Sequence, residues 1–222
     1  MDSAIRFKSC SETLVMSRTS DLRHQIALQA ARILAEQRYL SYDEARSKAA
    51  RHLGADNNRR NLPDNQEIEL ALKEYQAIFQ SDRQPNALRK LRQQAVNAMQ
   101  MLERFQPRLT GDVLSGTADE QSPVQLFLFC DSAEEVIFFL LDQKIPWKES
   151  EVVLHYPKGR SLKHPCFSFR AGDIAIELIV LAYNAIKNPP LSSLHGRPDK
   201  GASLANLQNL LEESDQRLEN GT

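Results

Sequence analysis

Apolar residues in the first half of the chain recur at the spacing of a helix face, and in the second half they shift to the shorter period of strands. Leu22, Ile26, Ala30, Ile33 and Leu34 form one stripe, which predicts a helix over Asp21–Gln37. Ser41-Tyr-Asp-Glu44 is a capping box in which side chain and backbone can satisfy each other, so a second helix starts there and stops at Gly54. Asp64-Asn-Gln-Glu67 opens a third helix in the same way, with Ile68, Leu72, Tyr75 and Phe79 as its buried face. Pro85 starts a fourth, striped by Leu88, Leu91, Ala95, Met99 and Leu102. Four amphipathic helices joined by short polar loops predict a bundle over residues 21–105, preceded by a flexible segment over 1–20.

Beyond Pro107 the runs shorten and become rich in β-branched and aromatic residues. Val124 to Cys130 and Asp173 to Leu181 predict strands, with weaker candidates at Val152 to Tyr156 and Cys166 to Phe169. Between the first two candidates, Asp131-Ser-Ala-Glu-Glu135 caps a helix running through Gln143. A last helix is expected from Ser203 to Glu213. The order strand, helix, strand, strand, strand suits a small mixed sheet with helices on one face, over about residues 106–215. The fold class read from the pattern is therefore α+β: a helical bundle followed by a mixed-sheet domain.

Composition narrows the class of molecule more than its chemistry. The chain has 222 residues, 41% hydrophobic and 26% charged, long enough for two small domains. Its apolar runs are core-sized and far short of the roughly 18 residues of a membrane span. The first ten residues contain no apolar stretch of the kind a secretory signal needs, so a cytoplasmic protein is expected. Three widely spaced cysteines, Cys10, Cys130 and Cys166, fit a reducing compartment. The net charge of −1 is uneven, +4 over residues 1–105 and −5 over 106–222. The basic run Arg89-Lys-Leu-Arg92 and the pair Arg59-Arg60 lack interleaved aromatics and a basic overall balance, which argues against a nucleic-acid partner.

The chemistry concentrates in Arg108-Leu-Thr-Gly-Asp-Val-Leu-Ser-Gly-Thr-Ala-Asp-Glu-Gln-Ser-Pro-Val-Gln-Leu-Phe-Leu-Phe129. Gly111-Asp112 ends one apolar segment, Ser115-Gly116-Thr117-Ala118 forms a small-residue loop, and Pro123-Val-Gln125 opens the next strand. This arrangement resembles the signature of the polymerase-beta-like nucleotidyltransferases. In that superfamily a strand ends in Gly-Ser, and about a dozen residues later a second strand carries Asp-hydrophobic-Asp. The resemblance covers about residues 105–182 and is similar to that of bacterial nucleotidyltransferases without an assigned substrate. It implies a nucleotide site at Gly111, Asp112, Ser115, Gly116, Thr117 and Gln125, with a third carboxylate from a later strand, where Glu177 and Asp173 stand.

The departure from the pattern matters as much as the match. Two-metal catalysis needs hard carboxylate oxygens at short spacing, and Asp-x-Asp on a strand supplies them on one face. Pro123 offers no side-chain oxygen and Gln125 only a neutral one. The expected function is therefore a non-catalytic nucleotidyltransferase-like protein that binds a nucleotide, or a protein partner through residues 21–105. One alternative is an active Mg²⁺-dependent enzyme using Asp112, Asp119, Asp173 and Glu177. Another is a structural interaction module. No Walker motif, Gly-x-Ser-x-Gly elbow or His-Glu-x-x-His is present, His164-Pro-Cys166 lacks further ligands, and His195-Gly-Arg197 reads as a connector.

Overall fold

The computed structural model describes residues 10–37, 40–55, 62–81 and 83–220. The chain divides into two compact units, residues 1–79 and 80–222.

Among the described residues the first unit contains three helices, α1 (Cys10–Glu36), α2 (Tyr42–His52) and α3 (Asn65–Phe79). Their shared core is built largely from alanine: Ala27, Ala30 and Ala31 of α1, Ala45, Ala49 and Ala50 of α2 and Ala71 of α3 surround Ile26, Ile33, Ile68 and Leu72. Small side chains let helix backbones approach closely, and the few large ones fill what remains. Both expected capping boxes form. The Ser41 hydroxyl accepts the Glu44 amide while the Glu44 carboxylate accepts the Ser41 amide, and Asp64 and Glu67 exchange the same pair of bonds. Glu67 also takes the guanidinium of Arg23 at 2.6 Å, tying α3 to α1. That bond, with help from the Asp64 amide, holds the Glu67 carboxyl below its usual range.

Two expectations change here. α1 starts at Cys10 and not at Asp21, because no glycine or proline breaks the chain between them. The expected flexible segment thus overlaps the helix over 10–20, and its residues 1–9 lie outside the described residues. Phe79, expected on the buried face of α3, is 68% exposed and packs its ring on Tyr75 at 4.6 Å; the buried positions are Ile68, Glu69, Ala71, Leu72 and Gln76.

The second unit is a five-stranded mixed sheet with helices. Its elements are α4 (Arg83–Met101), β1 (Arg108–Thr110), α5 (Gly111–Ser115), β2 (Val124–Phe129), α6 (Ala133–Asp142), β3 (Lys148–Tyr156), β4 (Arg160–Ala171), β5 (Ile174–Leu181) and α7 (Leu204–Asn220). The strand order is β1-β2-β5-β4-β3, with β2 and β5 parallel and every other pair antiparallel. The two expected strong strands thus lie side by side. The weaker pair becomes a long hairpin, more than twice the expected length at β4. The division between units falls before α4, whereas the periodicity places it at 105. The reason is the stripe of α4: Leu91, Ala95, Ala98, Met99 and Leu102 share one core with Leu126, Leu128, Phe167, Leu178 and Val180 of the sheet and Val136 and Leu140 of α6. A helix stripe states that a face is buried and is silent about what buries it.

Alternation divides the sheet's two faces. Even-numbered residues of β2 and β5 enter this main core. Phe127, Phe129, Ile179, Leu181 and Cys166 point the other way, into a small cluster with Ala185 from a 3₁₀ turn over Tyr183–Ile186. Among the described residues no helix is long and apolar enough to cross a membrane.

Candidate functional site

On the face opposite the main core, all five strands contribute one residue to a single rung. Thr110 pairs with Gln125, Gln125 with Glu177, Glu177 with Ser168 and Ser168 with Lys148. Every member is polar, although the next rung along is the apolar row Phe127, Ile179 and Cys166. The members also bond to one another or to the backbone. The Gln125 amide donates to the Glu177 carboxylate at 2.9 Å, the Thr110 hydroxyl donates to Asp199, and the Ser168 hydroxyl donates to the Lys148 carbonyl at 3.4 Å. Asp199 in turn accepts the Gly201 amide, and the following residue, Ala202, pairs with Leu109 through two backbone bonds of 2.8 and 2.9 Å. A segment 90 residues downstream therefore lies beside β1 and brings a second carboxylate to the end of the rung. Gly201 is required at that approach, because a Cβ there would sit 2.7 Å from Cβ of Arg108 and 2.9 Å from the Leu109 carbonyl.

Gly111 stands against Gln125, the second member of this rung. Its φ of +71° lies in the left-handed region, and a Cβ on it would meet Oε1 of Gln125 at 2.2 Å. Gln125 is thus held at both ends, its oxygen against Gly111 and its nitrogen on Glu177. Of the residues singled out by the sequence, Gly111, Gln125 and Glu177 come together.

The loop residues turn inward. Asp112 itself is exposed, and its carbonyl accepts the amides of Gly116, Thr117 and Ala118 at 2.9, 3.1 and 3.1 Å. Those three amides close α5. Ser115 and Thr117 share a hydroxyl bond of 2.9 Å, and the Gln84 side chain of α4 donates to the carbonyls of Gly116 and Ala118. Asp119 folds into its own turn, accepting the Gln121 amide. Asp173 sits in the β4–β5 turn, where its carbonyl accepts a guanidinium bond from Arg170. It lines two grooves of about 500 and 530 Å³ beside Asn86 and Lys90. Four residues of strand separate it from Glu177, about 13 Å at 3.3 Å per residue. Among the described residues no three His, Cys, Asp or Glu side chains gather to hold a metal, so Asp112, Asp173 and Glu177 do not form a shared cation site.

Arg92, part of the basic run in the sequence, is 8% exposed. Its guanidinium donates to the Val113 carbonyl in α5 and to the Ser214 hydroxyl in α7, so it fastens three helices from a buried position. Burial lowers its pKa from the ordinary arginine value, and no carboxylate among the described residues pairs with it. Cys166 likewise belongs to the interior, and His164 is half-buried beside it on β4. The Tyr156 hydroxyl lies 3.0 Å from His164 Nε2. Burial pushes the Cys166 thiol up, and Cys130, buried near Glu135 and Asp131, is pushed up to about 11, which makes both poor nucleophiles at neutral pH. The His195-Gly-Arg197 segment is a tight connector closed by bonds between Ser192 and both Arg197 and Gly196.

No family model matches this chain. A search of curated proteins finds no significant match either. Thr110, Ser168 and Lys148 are the rung members that sequence reasoning missed, together with Asp199 at its end. Thr110 carried a signal in its place next to Gly111, whereas Asp199 had none, since its role arises only where the 199–202 segment meets β1.

Proposed function

We propose that the second unit is a nucleotidyltransferase-like domain that has lost two-metal catalysis and binds the nucleoside part of a nucleotide without a metal. The observation that carries this reading is the Gln125–Glu177 bond. Where the superfamily pattern calls for a second carboxylate beside Glu177, an amide occupies the position and donates to it. A carboxylate whose oxygen is engaged by a neutral amide at 2.9 Å has the partner that a cation would otherwise provide. The rung's remaining chemistry is that of a hydrogen-bonding surface. Glu177 is a charged acceptor suited to hydroxyl or amino donors, and Lys148 closes the far end with a cation. With Glu177 and Asp199 both acidic, this row favours ribose hydroxyls and base amino groups over phosphate. The loop amides at 116–118, already given to Asp112, add no phosphate cradle.

The protein-partner reading has a separate support in α3, where Leu70 and Ile78 stand exposed. Calorimetric titration of the full chain with ATP, GTP, CTP and UTP, with EDTA and then with Mg²⁺, separates these readings. Metal-independent binding weakened by Glu177→Gln is the expected outcome. Mg²⁺-dependent pyrophosphate release abolished by Glu177→Ala would restore the active enzyme. Absence of binding in both conditions would leave the interaction module.

A further inference from the structure

The outer side of α6 carries a stripe that the sheet does not use. Glu134, Phe138 and Leu141 follow at intervals of four and three residues, so they lie on one side of the helix, and Lys144 stands in the C-terminal turn. Phe138 is 64% exposed and Leu141 54%, while Val136 and Leu140 on the opposite side are fully buried. Scattered apolar side chains on a surface are ordinary. Here two large ones are adjacent, bounded by an acid at one end and a base at the other. Asp142 lies at the rim of the stripe. Glu135 is committed elsewhere, its carboxylate accepting the amides of Asp131 and Ser132.

We infer that this stripe pairs with the same stripe of a second copy of the chain, the two α6 helices crossing antiparallel about a two-fold axis. The argument is the order of charges. Measured from the midpoint between Phe138 and Leu141, Glu134 lies about 8 Å along the helix on one side, and Lys144 follows the end of the helix on the other, just past the C-cap Gln143. Antiparallel pairing therefore sets Phe138 of each copy on Leu141 of the other and brings each Glu134 to the other copy's Lys144, twice by symmetry. Parallel pairing would place like charges together. A two-fold interface must be self-complementary, and this sequence of acid, apolar, apolar, base satisfies that requirement. The helix is ten residues long and covers less than the ~800 Å² per partner of a standard interface, so the dimer is a weak one.

The test is sedimentation velocity of the full chain from ~5 to ~500 µM in low salt, a range chosen for a small interface. The wild type should pass from monomer to dimer, and 0.5 M salt should weaken the association by screening its end pairs. Phe138→Glu should remove it. Lys144→Glu and Glu134→Lys should each weaken it by about tenfold, because two attractive pairs become repulsive, and the double variant Glu134→Lys/Lys144→Glu should return it to near the wild-type value. All four positions are exposed, and far-UV circular dichroism checks that each variant is folded. A wild type that stays monomeric across the range overturns the inference. So does a dimer indifferent to Phe138→Glu, or a double variant no better than the single ones. The charge-swap arm decides the matter even if Phe138→Glu misfolds.

Discussion

Gly111→Ala perturbs the rung at its most constrained point. Two effects add. The alanine must hold φ near +71°, which costs an L-residue about 1–2 kcal/mol, partly offset by about 0.5–1 kcal/mol from a stiffer unfolded chain. Its Cβ must also displace Oε1 of Gln125 from 2.2 Å. A free glutamine would swing aside cheaply, but this one is tied to Glu177 at 2.9 Å, and breaking a hydrogen bond to a charged group costs about 1.5–3 kcal/mol. Because Glu177 is half-buried and water can replace part of that bond, the lower end applies. The expected net destabilisation is about 2–3 kcal/mol, or roughly 5–10 °C in Tm. Urea unfolding followed by fluorescence measures it, since Trp147 is the chain's single tryptophan and packs against the core of the second unit. The Gln125→Ala background removes the obstacle, leaving only the backbone cost of about 1 kcal/mol or less, so the two changes should couple by about 1–2 kcal/mol. Equal costs of Gly111→Ala in both backgrounds, within about 0.5 kcal/mol, would refute the claim that Gln125 is pinned between Gly111 and Glu177.

Introducing carboxylates by Pro123→Asp with Gln125→Asp should create a Mn²⁺ site beside Glu177 detectable by calorimetry, at little cost to folding because Pro123 precedes β2; a folded double variant without binding would mean that this end of the sheet does not fit a cation. Arg92→Ala should destabilise the second unit by about 2 kcal/mol, by freeing the Val113 carbonyl and opening a cavity. Arg92→Met, which keeps the volume and removes a buried charge, should cost less than about 1 kcal/mol; equal losses would point to the charge itself. The His164 imidazole is held below its ordinary value by burial, partly opposed by a bond to the Val180 carbonyl. A depressed base contributes stability that is present above its unfolded value, about 6.5, and is lost as the pH falls below it. His164→Gln should therefore flatten the decline of second-unit stability as the pH falls below about 6.5, and an unchanged slope would assign that decline to other groups.

The local signals in this chain were strong wherever a few neighbouring residues settle the outcome. Ser41 with Glu44 and Asp64 with Glu67 dictate helix starts because each pair closes its own bonds within one turn. Val124–Phe129 and Ile174–Leu181 are strands on composition alone, and their parallel neighbourhood agrees with the mixed sheet that the pattern predicted. The hairpin of β3 and β4 exceeds its expected length because Lys148-Glu-Ser-Glu151 in β3 and Arg160-Ser-Leu-Lys-His-Pro165 in β4 have little apolar alternation; pairing between strands, not propensity, extends it. The partner of α4 was misjudged for a related reason, since a helical stripe looks the same whether a bundle or a sheet covers it. The site divides along the same line. Gly111, Gln125 and Glu177 stand out in the sequence through the resemblance of their segments to the nucleotidyltransferase pattern. Their union with Thr110, Ser168, Lys148 and Asp199 in one rung depends on strand order and register, which residues far apart in sequence fix only when the sheet closes.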